Sequence, residues 1–169
     1  MGASAVIDVG VSLFYTLAYL AFLGILSHVL GEAIPHEKFA PDAWLFRTRA
    51  WEMGGRIYEK IGIRAWKDRL PDMSRLVRRM YPKRLGRAPA AQAVERLICE
   101  TCRAEAVHLA LCLLAPPIWF FWKNTTGVWL SLLTVLGNLP FILIQRYNRP
   151  TLLRLARRLA AREERRKKP

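Results

Sequence analysis

The chain has 169 residues, of which 53% are apolar, and it carries a formal net charge of +14. An average soluble protein does not combine such apolarity with such charge, so these values favour a membrane protein in which the two kinds of residue are separated along the chain. The three cysteines, Cys99, Cys102 and Cys112, lack the spacing of a disulfide framework, and their single C-x-x-C pair predicts no metal site. A disulfide-stapled secreted domain is therefore disfavoured.

The first predicted element is a membrane-spanning helix over residues 9–30. This stretch contains no Lys, Arg, Asp or Glu, and it is long enough, since about 20 residues cross the hydrocarbon layer. No Lys or Arg precedes Lys38, so the basic start of a signal peptide is missing and we expect the span to be retained.

Residues 31–105 are rich in basic and aromatic side chains and are predicted to be cytoplasmic or interfacial. Trp44, Trp51 and Tyr58 recur every seven residues, which on a helix would give an apolar aromatic stripe. Such a helix could lie in the lipid headgroup layer or pack within a cytoplasmic region, and the sequence leaves both interpretations open. The two glycines at 54–55 would weaken a helix in either place.

Two further spans form a predicted helical hairpin. The first, over residues 106–122, contains a double proline at 116–117 that should kink or end the helix, and it finishes in an aromatic run. After a short polar turn, the last span covers residues 127–145. The predicted fold class is therefore all-α: a polytopic membrane protein with about three transmembrane helices plus interfacial amphipathic helices, in a single domain over residues 1–169.

Basic residues are distributed unevenly around these spans. None lies before the first span, 16 lie between residues 38 and 103, one lies in the hairpin turn, and ten lie from Arg146 onward. Because cytoplasmic loops carry an excess of Lys and Arg, the middle segment and the C-terminus are predicted to be cytoplasmic and the N-terminus to be outside.

Residues 150–169 form a predicted basic amphipathic tail, in which leucines alternate with arginines at helical spacing. We expect this tail to lie on anionic membrane lipids. Nucleic acid would also attract basic charge, but tethering to a bilayer makes that the poorer interpretation, and no nucleic-acid partner is predicted.

The start of the second span carries the predicted catalytic pair, Glu105 and His108. The two are three positions apart, so on a helix the carboxylate can hold one imidazole nitrogen and leave the other as a base near neutral pH. Such a base could take a proton from a hydroxyl nucleophile. The alternative is a polar pair that only satisfies its own hydrogen bonds at the entrance of a span.

In an antiparallel hairpin, the end of the third span lies beside this pair. Arg146 and Arg149 are therefore predicted to bind phosphate or to stabilise an oxyanion, although arginines at a span end also reach towards lipid headgroups. The other predicted substrate-binding residues are Asn138, Gln145, Asn148, Glu100, Arg103, Trp66 and Lys67. The prediction brings the imidazole and the arginine pair into one pocket at the inner leaflet and includes no metal.

These residues also carry a family resemblance. The matching segments, in order over roughly residues 30–165, are Ile34-Pro35 with Phe39, Trp51-Glu52 through Gly55, Ile63-Arg64 with Trp66-Lys67, Glu100-Thr101, Arg103-Ala104-Glu105, His108, Asn138 with Pro140, and Gln145 to Pro150. On them the chain resembles the glycosyl-4,4'-diaponeurosporenoate acyltransferases, bacterial membrane enzymes that finish staphyloxanthin-type carotenoids.

The resemblance implies transfer of a fatty acyl group to a sugar hydroxyl of a glycosylated carotenoid lipid. The donor would be an acyl thioester, acyl-CoA or acyl carrier protein, with no further cofactor. A bacterial inner membrane location and association with other lipid or carotenoid biosynthetic enzymes would follow. Two other functions stay open: a non-catalytic scaffold or lipid-binding protein of a biosynthetic complex, and another membrane transferase such as a methyltransferase on a prenyl lipid.

Overall fold

The computed structural model describes residues 3–35, 38–70 and 91–167. Within these residues every regular element is helical, which confirms the predicted all-α class. Five α-helices are described: α1 (Ala3–Ala33), α2 (Ile63–Trp66), α3 (Ala91–Leu113), α4 (Trp119–Trp122) and α5 (Thr125–Lys167). Three stretches are long and apolar enough to cross a bilayer, namely Val6–Ala33, Ala91–Trp122 and Thr125–Arg165. The protein is therefore a polytopic membrane protein.

The described residues form two compact units. The first unit comprises residues 3–35 and 106–140, and the second comprises residues 38–70, 91–105 and 141–167. The prediction of a single domain over the whole chain stays a prediction.

In the first unit, the double proline breaks the second span as predicted. Helix α3 ends at Leu113, and a 3₁₀ turn, Pro116–Ile118, precedes α4. The N–H of Ile118 donates to the Ala115 carbonyl in this turn, so the Leu114 carbonyl accepts instead from the hydroxyl of Tyr19 at 2.8 Å. Side chains of α1 thus supply hydrogen bonds that the broken helix lacks.

Two more polar contacts join α1 to α4 within the first unit. The Ser12 hydroxyl donates to the Phe121 carbonyl at 2.9 Å, and the Trp122 indole donates to Thr16 Oγ1 at 2.9 Å. Gly127, at the start of α5, lies so close to α4 that an added Cβ would sit 2.9 Å from Trp119 Cα. Only glycine permits that approach.

In the second unit, the seven-residue aromatic row does not lie on one helix, and that prediction was wrong. Trp44 lies in a turn, and Trp51 is the second residue of a 3₁₀ segment, Ala50–Ile61. Positive φ angles at Met53 and at the two glycines break this segment. The bend sends Tyr58 into the interior while Trp44 and Trp51 stay 70% and 61% exposed. The glycines weaken the helix as expected, because they adopt the left-handed backbone that ends it.

Two helices extend further than hydropathy predicts. Helix α3 begins at Ala91, before the predicted start of its span at residue 106, because hydropathy excludes its charged residues although Arg103 and Glu105 are buried. Helix α5 continues through Pro140 and Pro150, so the predicted third span and the predicted tail belong to one helix. Packing around a proline can compensate for the missing hydrogen bond in such helices.

Candidate functional site

Glu105 is the centre of a buried ionic cluster in the second unit. Its side chain is 0% exposed, and each of its carboxylate oxygens accepts a hydrogen bond from an arginine of α5. Arg146 Nε donates to Oε1 at 2.7 Å, and Arg149 Nη2 donates to Oε2 at 2.5 Å. Burial of this carboxylate is tolerable because both oxygens are paired with cations.

Glu52 completes the cluster, and the sequence interpretation gave it no role. Its carboxylate is 1% exposed and accepts three hydrogen bonds, each at 2.9 Å, from Arg146 Nη1, the Tyr58 hydroxyl and the Arg49 backbone N–H. Burial, and next the hydrogen bond to Glu52, raise the pKa of Tyr58 far above its ordinary value, so this hydroxyl remains a donor. Two carboxylates and two guanidinium groups leave the cluster neutral.

The two arginines also hold the backbone of the segment that follows the first span. Arg146 Nη2 donates to the Leu45 carbonyl at 2.7 Å, and Arg149 Nη1 donates to the Phe46 carbonyl at 2.6 Å. Arg149 is 1% exposed and further donates to the hydroxyl and carbonyl oxygens of Thr101, at 2.9 and 3.1 Å. These contacts fix both guanidinium groups among protein oxygens; that they also bind substrate stays a prediction.

In the first unit, His108 and Asn138 form a hydrogen-bonded pair. His108 Nδ1 lies 2.8 Å from Asn138 Oδ1, and Asn138 Nδ2 donates to the Thr134 carbonyl at 2.8 Å. The second bond fixes which end of the amide faces the imidazole, and an amide oxygen only accepts. His108 Nδ1 therefore carries the proton, and the lone pair of the neutral ring is on Nε2. The predicted hold of Glu105 on His108 stays a prediction.

A second group of polar side chains in the second unit surrounds Tyr147. Arg64 Nε donates to the Tyr147 hydroxyl at 3.0 Å, and Arg64 Nη2 pairs with Glu59 at 2.5 Å. Lys67 Nζ lies 5.0 Å from the centroid of the Tyr147 ring and donates to Asn148 Oδ1 at 3.3 Å. The bond to Tyr147, and next the one to Glu59, raise the pKa of Arg64, which stays a cation.

The remaining predicted substrate-binding residues have ordinary protein contacts. Arg103 lies 3.5 Å from Glu100 and places its guanidinium carbon 5.7 Å from the Phe39 ring centroid. The Trp66 indole donates to the Ile61 carbonyl at 3.1 Å, and Gln145 is buried. Their roles with substrate stay predictions. In the part of the chain that the structure describes, no group of three His, Cys, Asp or Glu side chains could hold a metal ion.

Comparison with known proteins gives one consistent result. The family model for glycosyl-4,4'-diaponeurosporenoate acyltransferase matches residues 42–158. Proteins of that name from Staphylococcus aureus strains bovine RF122 / ET3-1 and MRSA252 are each 33% identical over 139 residues, which is 80% of this chain and 82% of theirs. The protein of strain N315 is 32% identical with the same coverage. No solved structure matches.

Proposed function

This chain belongs to the glycosyl-4,4'-diaponeurosporenoate acyltransferase family and is an acyltransferase, and from that membership we propose that it esterifies a sugar hydroxyl of a glycosylated carotenoid with a fatty acyl group. The proposed donor is an acyl thioester, either acyl-CoA or an acylated carrier protein. Both the lipid-linked sugar and such a thioester can reach groups at a membrane surface.

One hydrogen bond supports the assignment of His108 as the general base. Because Nδ1–H is held by Asn138 Oδ1, the basic lone pair of the neutral imidazole is on Nε2. A hydrogen bond that fixes the tautomer of an imidazole also fixes which of its nitrogens can act as the base. Asn138 then has the orienting role that the sequence interpretation gave to Glu105 alone.

The proposed reaction transfers one acyl group and returns every proton. Nε2 of His108 takes the proton of the sugar hydroxyl, and the hydroxyl oxygen forms a bond to the thioester carbonyl carbon. The tetrahedral intermediate collapses as the C–S bond breaks, and the imidazolium protonates the leaving thiolate. The products are the sugar ester and a free thiol, with His108 neutral again.

The buried ionic cluster has a positioning role in this proposal. Glu105 fixes Arg146 and Arg149, and the two arginines in turn hold the carbonyls of residues 45–46 against α3. We further infer that the reaction takes place at the cytoplasmic face of a bacterial inner membrane, beside anionic lipids.

The test is acyl transfer by a His108→Ala variant in membranes supplied with labelled acyl-CoA and the glycosylated carotenoid. Loss of a general base should slow transfer about 10²- to 10⁴-fold. His28→Ala removes an exposed imidazole of α1 and is the matched control, for which we expect the wild-type rate. Lipid mass spectrometry should show the gain of one acyl group with the wild-type protein and its loss with His108→Ala.

A His108→Ala protein that inserts normally and transfers at the wild-type rate would contradict the assignment of the base. Wild-type protein that transfers no acyl group to any glycolipid would contradict the proposed reaction itself.

A further inference from the structure

Lys67 and Arg64 are two cations fixed against consecutive residues of α5. Arg64 contacts the hydroxyl edge of Tyr147, whereas Lys67 lies over the face of the same ring and donates to Asn148. The two cations are three positions apart in the turn formed by α2 and the 3₁₀ segment Lys67–Arg69. One aromatic side chain therefore holds both in place.

The charges around these two cations are not balanced. Glu59 pairs with Arg64, whose side chain is nevertheless 71% exposed. Among the described residues no carboxylate pairs with Lys67, whose partners are a neutral amide oxygen and a ring face. A half-buried ammonium with no counter-charge attracts an anion. Because its remaining N–H groups are hydrogen-bond donors, they favour an anion with several acceptor oxygens.

We propose that Lys67 and Arg64 form a binding site for a phosphate group. Lys67 supplies the charge that no carboxylate neutralises, and the exposed guanidinium of Arg64 supplies parallel N–H donors that suit phosphate oxygens. This phosphate has two chemical sources, the nucleotide part of a coenzyme A donor and the headgroup of an anionic lipid. The first source rests on the proposed function, since it requires a coenzyme A thioester as donor.

The experiment measures binding to the full-length protein in phosphatidylcholine nanodiscs, without any acyl transfer. One titration uses coenzyme A, compared with 3'-dephospho-coenzyme A, and the other uses short-chain phosphatidylglycerol. Lys67→Gln should weaken binding of one or both by about tenfold, as expected for loss of a charge-assisted hydrogen bond. Lys67→Arg should restore most of the affinity because it restores the charge.

Lys60→Gln is the matched control, because it removes the same charge from an exposed lysine in the same segment. We expect its affinities to equal those of the wild type. Weakening of coenzyme A alone by Lys67→Gln identifies the donor as the source, weakening of phosphatidylglycerol alone identifies the headgroup, and weakening of both supports a general phosphate site.

Unchanged affinity for both ligands in Lys67→Gln, or an equal loss in Lys60→Gln, would overturn the proposal. Because binding is measured directly, these outcomes are separate from those of the transfer assay. A protein that binds coenzyme A through Lys67 but transfers no acyl group would refute only the proposed reaction.

Discussion

Two pairs of basic side chains in the second unit differ in what neutralises them. Arg146 and Arg149 are enclosed by two buried carboxylates and by backbone carbonyls. Lys67 and Arg64 share a tyrosine and have one half-buried carboxylate between them. A cation that is fully paired inside the protein stabilises the fold, whereas one left without an anion remains able to attract a ligand. Within one unit, the first pair of cations therefore stabilises the fold and the second pair is available to bind an anion.

The largest effect on stability should come from Arg149→Met. This change keeps the volume but leaves Glu105 Oε2 buried without its cation, which typically costs about 3–5 kcal/mol. Thermal unfolding of the purified protein in detergent measures the loss. Arg158→Met, on the exposed side of the same helix, is the control and should change the melting temperature little. Equal melting temperatures for the two variants would break the comparison.

A smaller effect is expected from Glu52→Gln. The amide oxygen can still accept from the Arg49 N–H, but an amide nitrogen replaces the oxygen that accepts from Tyr58. The charge facing Arg146 is also removed, although Arg146 retains Glu105. We expect a loss of about 1–3 kcal/mol in the free energy of unfolding. Glu59→Gln removes a half-buried carboxylate from an exposed pair and should cost less than Glu52→Gln. A larger loss of stability in Glu59→Gln than in Glu52→Gln would show that burial does not decide how much each carboxylate contributes.

The smallest effect on stability is expected from Lys67→Gln. Its contacts are one amide oxygen and the face of Tyr147, and a partly exposed cation–π contact contributes only about 1 kcal/mol. The same unfolding assay should therefore find Lys67→Gln close to the wild type. A loss of stability as large as that of Arg149→Met would show that Lys67 stabilises the fold, and the two pairs of cations would then not differ.

Sequence reasoning succeeded where a pattern is local. Charge-free runs predict the three long apolar helices, and the double proline predicts the end of α3, because both depend on neighbouring residues only. It failed for the aromatic row of residues 44–58, since a seven-residue period assumes a regular helix and Met53 with its two glycines adopts positive φ instead.

The candidate site was predictable in part for the same reason. His108 and Asn138 stand out as polar residues in apolar helices, and the structure pairs them. Glu52 was missed because its ionic partner, Arg146, is 94 positions away and no periodicity links the two. The matching segment Trp51-Glu52 through Gly55 singled out this carboxylate but gave no indication of its partner.

The arginine contacts to the segment after the first span are made to the main chain. Arg146 donates a hydrogen bond to the carbonyl of Leu45, whose side chain is 39% exposed. This hydrogen bond therefore does not depend on which side chain is present at position 45. The side chain at position 45 can thus change the chemistry of the exposed surface without loss of this main-chain hydrogen bond. A substitution of Leu45 should therefore leave the hydrogen bond from Arg146 to the carbonyl of residue 45 in place.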